Sequence, residues 1–359
     1  MVSFGSRRPD GRWRPGRLLI ACGAALAALV AVVAVMVIGH GSNPPQARPA
    51  RTGEAGPRLL GVRASWELFG YAPGRVVRIA FASGRVTQTA VPHVLSSGPV
   101  SFVVGPHEAI IRPLDFVPGY VVPDGRPARL LPGALSSGGT VIPGPQPGTA
   151  WVQAGFQVAS MPLVRMDGTE TGVSLRLPPG GPWQAISDGR GGVLVGAGYP
   201  GGTYDVGPGG FHRIAGMLAA VGPTRWLIVD CDAGHRCSNV IVDPVTGARH
   251  TLPGPSATPP AGAAPGVIAP DGSAAAIVRA SGGRVTLHLL NLMSGSDQQI
   301  SVSLDEESAT DPSLAWSPDS RWLFVVAAQG KLAAVDARTR RVEGVGVEIP
   351  SLSLIAVRN

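Results

Sequence analysis

Lysine is nearly missing from this chain: of 30 basic residues Lys331 is the one lysine, and the other 29 are arginine. That skew fits a GC-rich coding sequence, so most isolated arginines read as surface positions. Aromatic residues are scarce, at 5%, and no basic groove with interleaved aromatics can be traced, which argues against nucleic acid as a partner. Charged residues make up 15% and apolar residues 44%, too apolar a balance for a disordered chain. Glycine and proline, by contrast, supply 85 of 359 residues without a collagen-like period. Turns must then be frequent and the regular elements between them short, which favours strands over long helices.

One long hydrophobic run stands apart. Residues 18–38, LLIACGAALAALVAVVAVMVI, carry no charge over 21 positions, enough to cross a hydrocarbon core of about 30 Å as a helix rising about 1.5 Å per residue. Arg7, Arg8, Arg12, Arg14 and Arg17 precede it, whereas Arg48 and Arg51 are the only basic residues at a comparable distance after it. The positive-inside bias puts the N-terminus in the cytoplasm and makes membrane lipid the partner of residues 18–38. The run is longer than the apolar region of a cleaved signal peptide and ends in IGHGSNPP without a good A-x-A site. Leu19-Ile20-Ala21-Cys22 resembles a lipobox, but the apolar stretch follows the cysteine instead of preceding it. The expected organisation is a basic cytoplasmic tail (1–17), a transmembrane helix (18–38), a Pro/Gly-rich linker (39–57) and an extracytoplasmic domain (58–359) at the cell membrane.

Beyond the linker, strand-like stretches stop at small Pro or Gly punctuation seven times, from Ala90-Val91-Pro92 to Glu348-Ile349-Pro350, at intervals of roughly 40–50 residues. Two turn signatures recur at matching phases. Trp316-Ser317-Pro318-Asp319 and Ala269-Pro270-Asp271-Gly272 each place a Pro-Asp turn before an apolar strand, since Pro presets φ and Asp caps the turn amides. Later in each repeat comes a polar hairpin, at Asp243-Pro244-Val245-Thr246-Gly247, Asn291-Leu292-Met293-Ser294-Gly295 and Asp336-Ala337-Arg338-Thr339-Arg340.

On these residues the chain resembles the WD-repeat and TolB-like β-propellers of bacterial envelopes, whose blades carry a W-S-P-D-G-x-x-L-x-F turn and strand and a V-x-D-x-x-T-G hairpin. The likeness covers about 100 residues by motif and nearly 300 by period. It implies an all-β propeller and no particular activity, because propellers host many functions. Counting stops gives seven four-stranded blades; six or eight stay open because the middle repeats are poorly phased. The first unit is short, and SLSLIAVR at residues 351–358 supplies one more strand. The expectation is that this C-terminal strand joins the first blade and closes the ring.

Few residues point to chemistry. Cys231 and Cys237 bracket Asp-Ala-Gly-His-Arg between two strand-like stretches, so a hairpin in an oxidising compartment would let them form a disulfide. A metal site using His235 and Asp232, or free thiols, are the competing readings, and the loop does not have the spacing of structural zinc sites. The seven histidines are scattered singly without a metal-binding spacing, and no G-x-S-x-G elbow is present. The Gly-rich strings at 188–192 and 196–198 read as turns, the acidic patch Asp305-Glu306-Glu307 with Asp311 as a solvated loop, and Trp66, Trp151, Trp183, Trp226 and Trp316 as packing between blades. No catalytic residue, metal ligand or cofactor is assigned. The functional expectation is a membrane-anchored module that binds a protein or cell-wall ligand at the envelope. The alternative is a glycan- or peptide-processing propeller enzyme with its site at the central channel, and a third idea is a sensor signalling through the membrane helix.

Overall fold

The computed structural model describes residues 51–52, 56–92, 100–114, 117–136, 139–155, 157–196, 202–254, 257 and 264–358. Among the described residues strands dominate, and helix is limited to three short 3-10 turns at Gly133–Ser136, Glu306–Ala309 and Ala328–Gly330. No helix among the described residues is long and apolar enough to cross a membrane, and the 18–38 run lies outside them.

The described strands pair as antiparallel meanders spanning residues 67–90, 100–130, 140–176, 184–214, 217–251, 266–300 and 314–344. The expected closure is present: Leu354–Arg358 pairs antiparallel with Glu67–Ala72, from Glu67↔Arg358 to Tyr71↔Leu354, so the C-terminus becomes the inner strand of the first sheet. On the outer edge of that sheet Arg51–Thr52, inside the stretch expected to be linker, adds a fifth strand.

Seven separate four-stranded blades were expected, and that count is corrected. The described strands form six hydrogen-bonded sheets, four with four strands, one with five and one with eight. In the eight-stranded sheet Met217–Val221 and Gly266–Ile268 pair in parallel, at Ala220↔Gly266 and Val221↔Val267, which fuses the 217–251 and 266–300 meanders edge to edge. At Gly266 a Cβ would lie 2.0 Å from the Ala276 carbonyl oxygen, so glycine there permits the close antiparallel pairing of Gly266–Ile268 with Ala274–Ser281 inside the same meander.

The core follows from strand alternation. Successive side chains leave opposite faces of a strand, so neighbouring apolar residues serve two different interfaces. Ile111 packs with Phe69 and Tyr71 of the first sheet, while Ile110 packs with Val152 and Val164 of the 140–176 sheet. The pattern continues around the molecule. Trp151 and Leu163 meet Trp183 and Val195, Leu194 and Ile214 meet Trp226 and Ile228, and Leu227 and Ile241 meet Ile277 and Leu290. Leu287 and Leu289 then meet Leu323 and Val335, and Trp322 and Phe324 return to Trp66, Leu68 and Phe81 of the first sheet. The sheets therefore close into a circle with an apolar layer at each junction, where burying each large side chain contributes about 1.5–3 kcal/mol. This is the all-β propeller that the repeats pointed to.

Candidate binding face

In an antiparallel meander the first and third turns fall at one end and the second turn at the other. In the three meanders from 217 to 344, the end carrying the first and third turns is assembled from the two repeated signatures. Asp271 Oδ1 accepts from Ser273 N and Oγ at 2.9 and 2.7 Å, and Asp319 Oδ1 accepts from Arg321 N and Ser317 Oγ at 3.1 and 2.5 Å. The third turns use one device three times. The side-chain oxygen of Asp243, Asn291 or Asp336 accepts two backbone N–H groups, from Val245 and Thr246, from Met293 and Ser294, and from Arg338 and Thr339, at 2.8–3.0 Å. The fifth residue of each turn has positive φ: Gly247 at 71°, Gly295 at 69° and Arg340 at 61°. The amides of Thr246 and Val245 hold the Asp243 carboxyl below its usual value. Burial pushes Asp336 up, but the amides of Thr339 and Arg338 together with Arg321 outweigh it and leave it lowered.

The same position of this turn projects outward in all three meanders. Val245 is 80% exposed, Met293 is 72% exposed, and Arg338 is exposed beside them in sequence phase. The first turns link to one another: Arg225 Nη1 donates to Gly272 O at 3.2 Å and approaches Met293 Sδ at 4.0 Å, and Asp271 N donates to Ser320 Oγ at 3.0 Å. Between the 266–300 and 314–344 meanders these turns enclose a cleft of about 260 Å³ whose walls include Asp271, Asn291, Asp319, Arg321, Arg338 and Arg340. Sequence reasoning found the turns but not the cleft; the apolar residue at the tip of two successive polar turns was the available signal.

Elsewhere the expected residues fall as follows. Cys231 and Cys237 are opposite one another in a strand pair and form a disulfide. His235 and Asp232 lie in the enclosed turn, where Asp232 accepts from Gly234 N and Arg236 N, both at 2.9 Å, so the aspartate caps the hairpin. The five tryptophans singled out are buried between sheets, and several indole N–H groups donate across a junction, as from Trp226 to Asp188 O at 3.0 Å and from Trp316 to Val267 O at 3.1 Å. The 188–192 string is a turn closed by Asp188 Oδ1, which accepts from Arg190 N and Gly192 N; residues 197–198 lie outside the described residues. Asp305 of the acidic patch accepts from Gln329 N at 2.9 Å.

Two ionic groupings escaped the sequence reading because their members come from different strands. His288 Nδ1 lies 2.9 Å from Asp297 Oδ1, its Nε2 lies 3.1 Å from Thr286 Oγ1, and Arg279 pairs with Asp297 at 2.5 Å. Asp297 is pushed up by burial, but His288 and Arg279 outweigh that and lower its pKa. This line braces three adjacent strands of one meander. The second grouping joins Arg358 and Arg78 to Glu67 and Asp124. Burial works against the Arg358 charge, but Asp124 and Glu67 more than offset it and raise its pKa. Two guanidinium groups and two carboxylates neutralise each other there, which suits a brace between the first two sheets. Among the described residues no group of three or more His, Cys, Asp and Glu side chains is placed to hold a metal ion.

No protein-family model and no curated protein matches the chain. Solved structures do. A 6-phosphogluconolactonase candidate from Bacteroides fragilis is similar at 9% identity with a TM-score of 0.51, over 83% of this chain and 99% of that one. AztD from Citrobacter koseri matches at 13% identity and TM-score 0.49, over 82% of this chain and 97% of that one. TolB from Acinetobacter baumannii matches at 14% and 0.44, over 82% of each chain. At these identities the likeness speaks for fold alone, and the first of the three supports the propeller.

Proposed function

We propose that the chain is a membrane-anchored extracytoplasmic β-propeller that binds a protein partner at the cell envelope. The carrying observation is the face built by the 217–344 turns, where Val245 and Met293 stand exposed at the tips of hydrogen-bonded turns beside a polar cleft. Val245 and Met293 occupy the same position of neighbouring turns and offer apolar area that a partner could bury. The Cys231–Cys237 bridge supports an oxidising compartment, and the 18–38 run with its upstream arginines supports the tether. The charge-paired ionic groupings favour binding over catalysis, since none leaves an unpaired acid beside a base.

The test is photo-crosslinking in intact cells with a photoreactive residue at position 245 or 293, and at Arg284 near the opposite end of the same sheet as control. A discrete protein adduct from 245 and 293 but not from 284 is the expected result. Equal adducts from all three positions, or none from the turn tips, would remove the binding face. Membrane fractionation and protease accessibility of the same cells check the anchor: full release of the chain by salt washing counts against it.

A further inference from the structure

The Cys231–Cys237 bridge spans a hairpin that is already closed without it. Strand pairs from Trp226↔Val242 to Asp230↔Ser238 lead up to the two cysteines, and beyond them Asp232 N donates to Arg236 O at 3.0 Å. Inside the turn Asp232 Oδ1 accepts from Gly234 N and Arg236 N, while its Oδ2 accepts from Arg236 Nε at 3.1 Å and Nη2 at 3.0 Å. The bridge adds a covalent tie between residues only six apart in sequence. The entropy a disulfide removes from the unfolded chain grows with the length of the loop it closes, so this one is at the small end. Stability alone gives little reason for it.

Register and exposure point to another role. Hydrogen-bonded and non-hydrogen-bonded pairs alternate along an antiparallel ladder. The bond from Asp232 N to Arg236 O makes those two residues the hydrogen-bonded pair and Cys231↔Cys237, one step along, a non-hydrogen-bonded one. Facing Cα atoms at such a pair lie about 4.5 Å apart, against roughly 5.5–6 Å in most disulfides. A ladder that holds both cysteines in this register compresses the bridge, and a compressed disulfide is easier to reduce. The bridge is also within reach, since Cys231 and residues 232–236 are exposed and Cys237 is half-buried. Exposed or strained disulfides are the exchangeable ones.

We propose that Cys231–Cys237 is a thiol–disulfide exchange site that takes two electrons from a dithiol protein. A thiolate of that protein attacks the exposed Cys231 Sγ, the bond between the two sulfurs breaks, and Cys237 leaves as a thiolate that takes up a proton. The dithiol protein's second thiolate then attacks its own sulfur in the mixed disulfide and releases Cys231 as the second thiolate, which is protonated in turn. The dithiol protein ends as a disulfide, and this chain ends with two thiols and the two protons. Cys237 is suited to stay in place meanwhile: its carbonyl accepts from Ala257 N at 2.8 Å, and its side chain packs against the cluster of Ala257, Ile277 and Leu290. The site is on the second turn of its meander, at the end opposite the Val245 turn, and is independent of the binding face.

The experiment treats the full-length protein in detergent with reduced thioredoxin as the dithiol probe, quenches with iodoacetamide at set times, and follows alkylation of Cys231 and Cys237 by mass spectrometry. The bridge opens at least about tenfold faster than the same bridge in an oxidised peptide of residues 229–239, whose strands are free to leave register. Thioredoxin lacking its second cysteine gives a covalent adduct on Cys231. The far-UV circular dichroism of the reduced protein is unchanged, because the strand pairs and Asp232 keep the hairpin. A bridge that opens no faster than the peptide's, or only in urea, overturns the exchange site, and unfolding on reduction does the same by making the bridge structural. An adduct on Cys237 alone overturns Cys231 as the attacked sulfur. The double variant Cys231→Ser with Cys237→Ser keeps the adducts from positions 245 and 293, so failure of the exchange site and failure of the binding face are read separately.

Discussion

Arg358 Nη2 donates to Glu67 Oε2 at 2.6 Å although 291 residues separate them. The bond lies across the strand pair that joins the two ends of the propeller, and Asp124 of the next sheet accepts from the same guanidinium at 2.8 and 3.1 Å. Phe69 lies under it, with its ring centre 4.5 Å from Cζ. Closure of the circle is therefore held by a packed ion network as well as by backbone pairing.

Arg358→Ala should cost about 1.5–3 kcal/mol, because Glu67 and Asp124, 12% and 29% exposed, keep Arg78 but lose the charged hydrogen bonds from the second guanidinium. Urea unfolding reads it as a lower midpoint at constant slope. The pair Glu67→Gln with Arg358→Met should lose less than the sum of the single changes. Additive losses would mean that the two side chains do not act together.

Acid should weaken the 314–344 meander through Asp336. Its carboxyl is held below the ordinary value of 3.8 by the amides and Arg321 that outweigh burial. A depressed carboxylate contributes stability above its unfolded pKa, and that contribution is lost as pH falls through the folded value. Asn291 occupies the same position in the preceding meander and keeps both amide bonds. Asp336→Asn should therefore keep the turn while flattening the loss of stability as pH falls below about 4. An unchanged acid profile would remove Asp336 as its source.

Arg340 holds a left-handed conformation, φ 61°, where the two preceding meanders have glycine. That conformation costs an L-residue roughly 1–2 kcal/mol, and glycine's extra freedom in the unfolded chain returns part of the gain. Arg340→Gly should raise the thermal midpoint. A fall would show that the Gln298 contact outweighs the backbone strain.

The parts legible in the sequence are those whose chemistry is local. Asp243, Asn291 and Asp336 cap amides two and three residues ahead, so their turns can be read from a few letters, and the opposed Cys231 and Cys237 flank one hairpin. The closing strand was also legible, since a short first unit and a surplus last strand imply each other. Other features depend on which strands become neighbours. Arg358 with Glu67, and His288 with Asp297, meet across strands with no fixed spacing. The cleft arises where the turns of one meander face those of the next. The fusion of two meanders at Ala220↔Gly266 was hidden for the same reason, since it too depends on which strand edges become neighbours.

Gly266 gives a single-atom test of how closely its strand packs on the next one, Ala274–Ser281. A methyl group at Gly266 would lie 2.0 Å from the Ala276 oxygen and 3.1 Å from Ile277 Cα, both backbone atoms that cannot swing away as a side chain would. Gly344, also in a strand, has open space around its would-be Cβ and no positive φ. Gly266→Ala should thus cost about 1–3 kcal/mol, the range for forcing extra volume into a packed site, while Gly344→Ala should be neutral or slightly stabilising. Hydrogen exchange adds the location. The amides of residues 266–268 and 274–277 should lose protection in Gly266→Ala before those of the 140–176 sheet do. If the two alanine variants are equally stable, the Gly266–Ile268 strand packs on Ala274–Ser281 more loosely than its register implies.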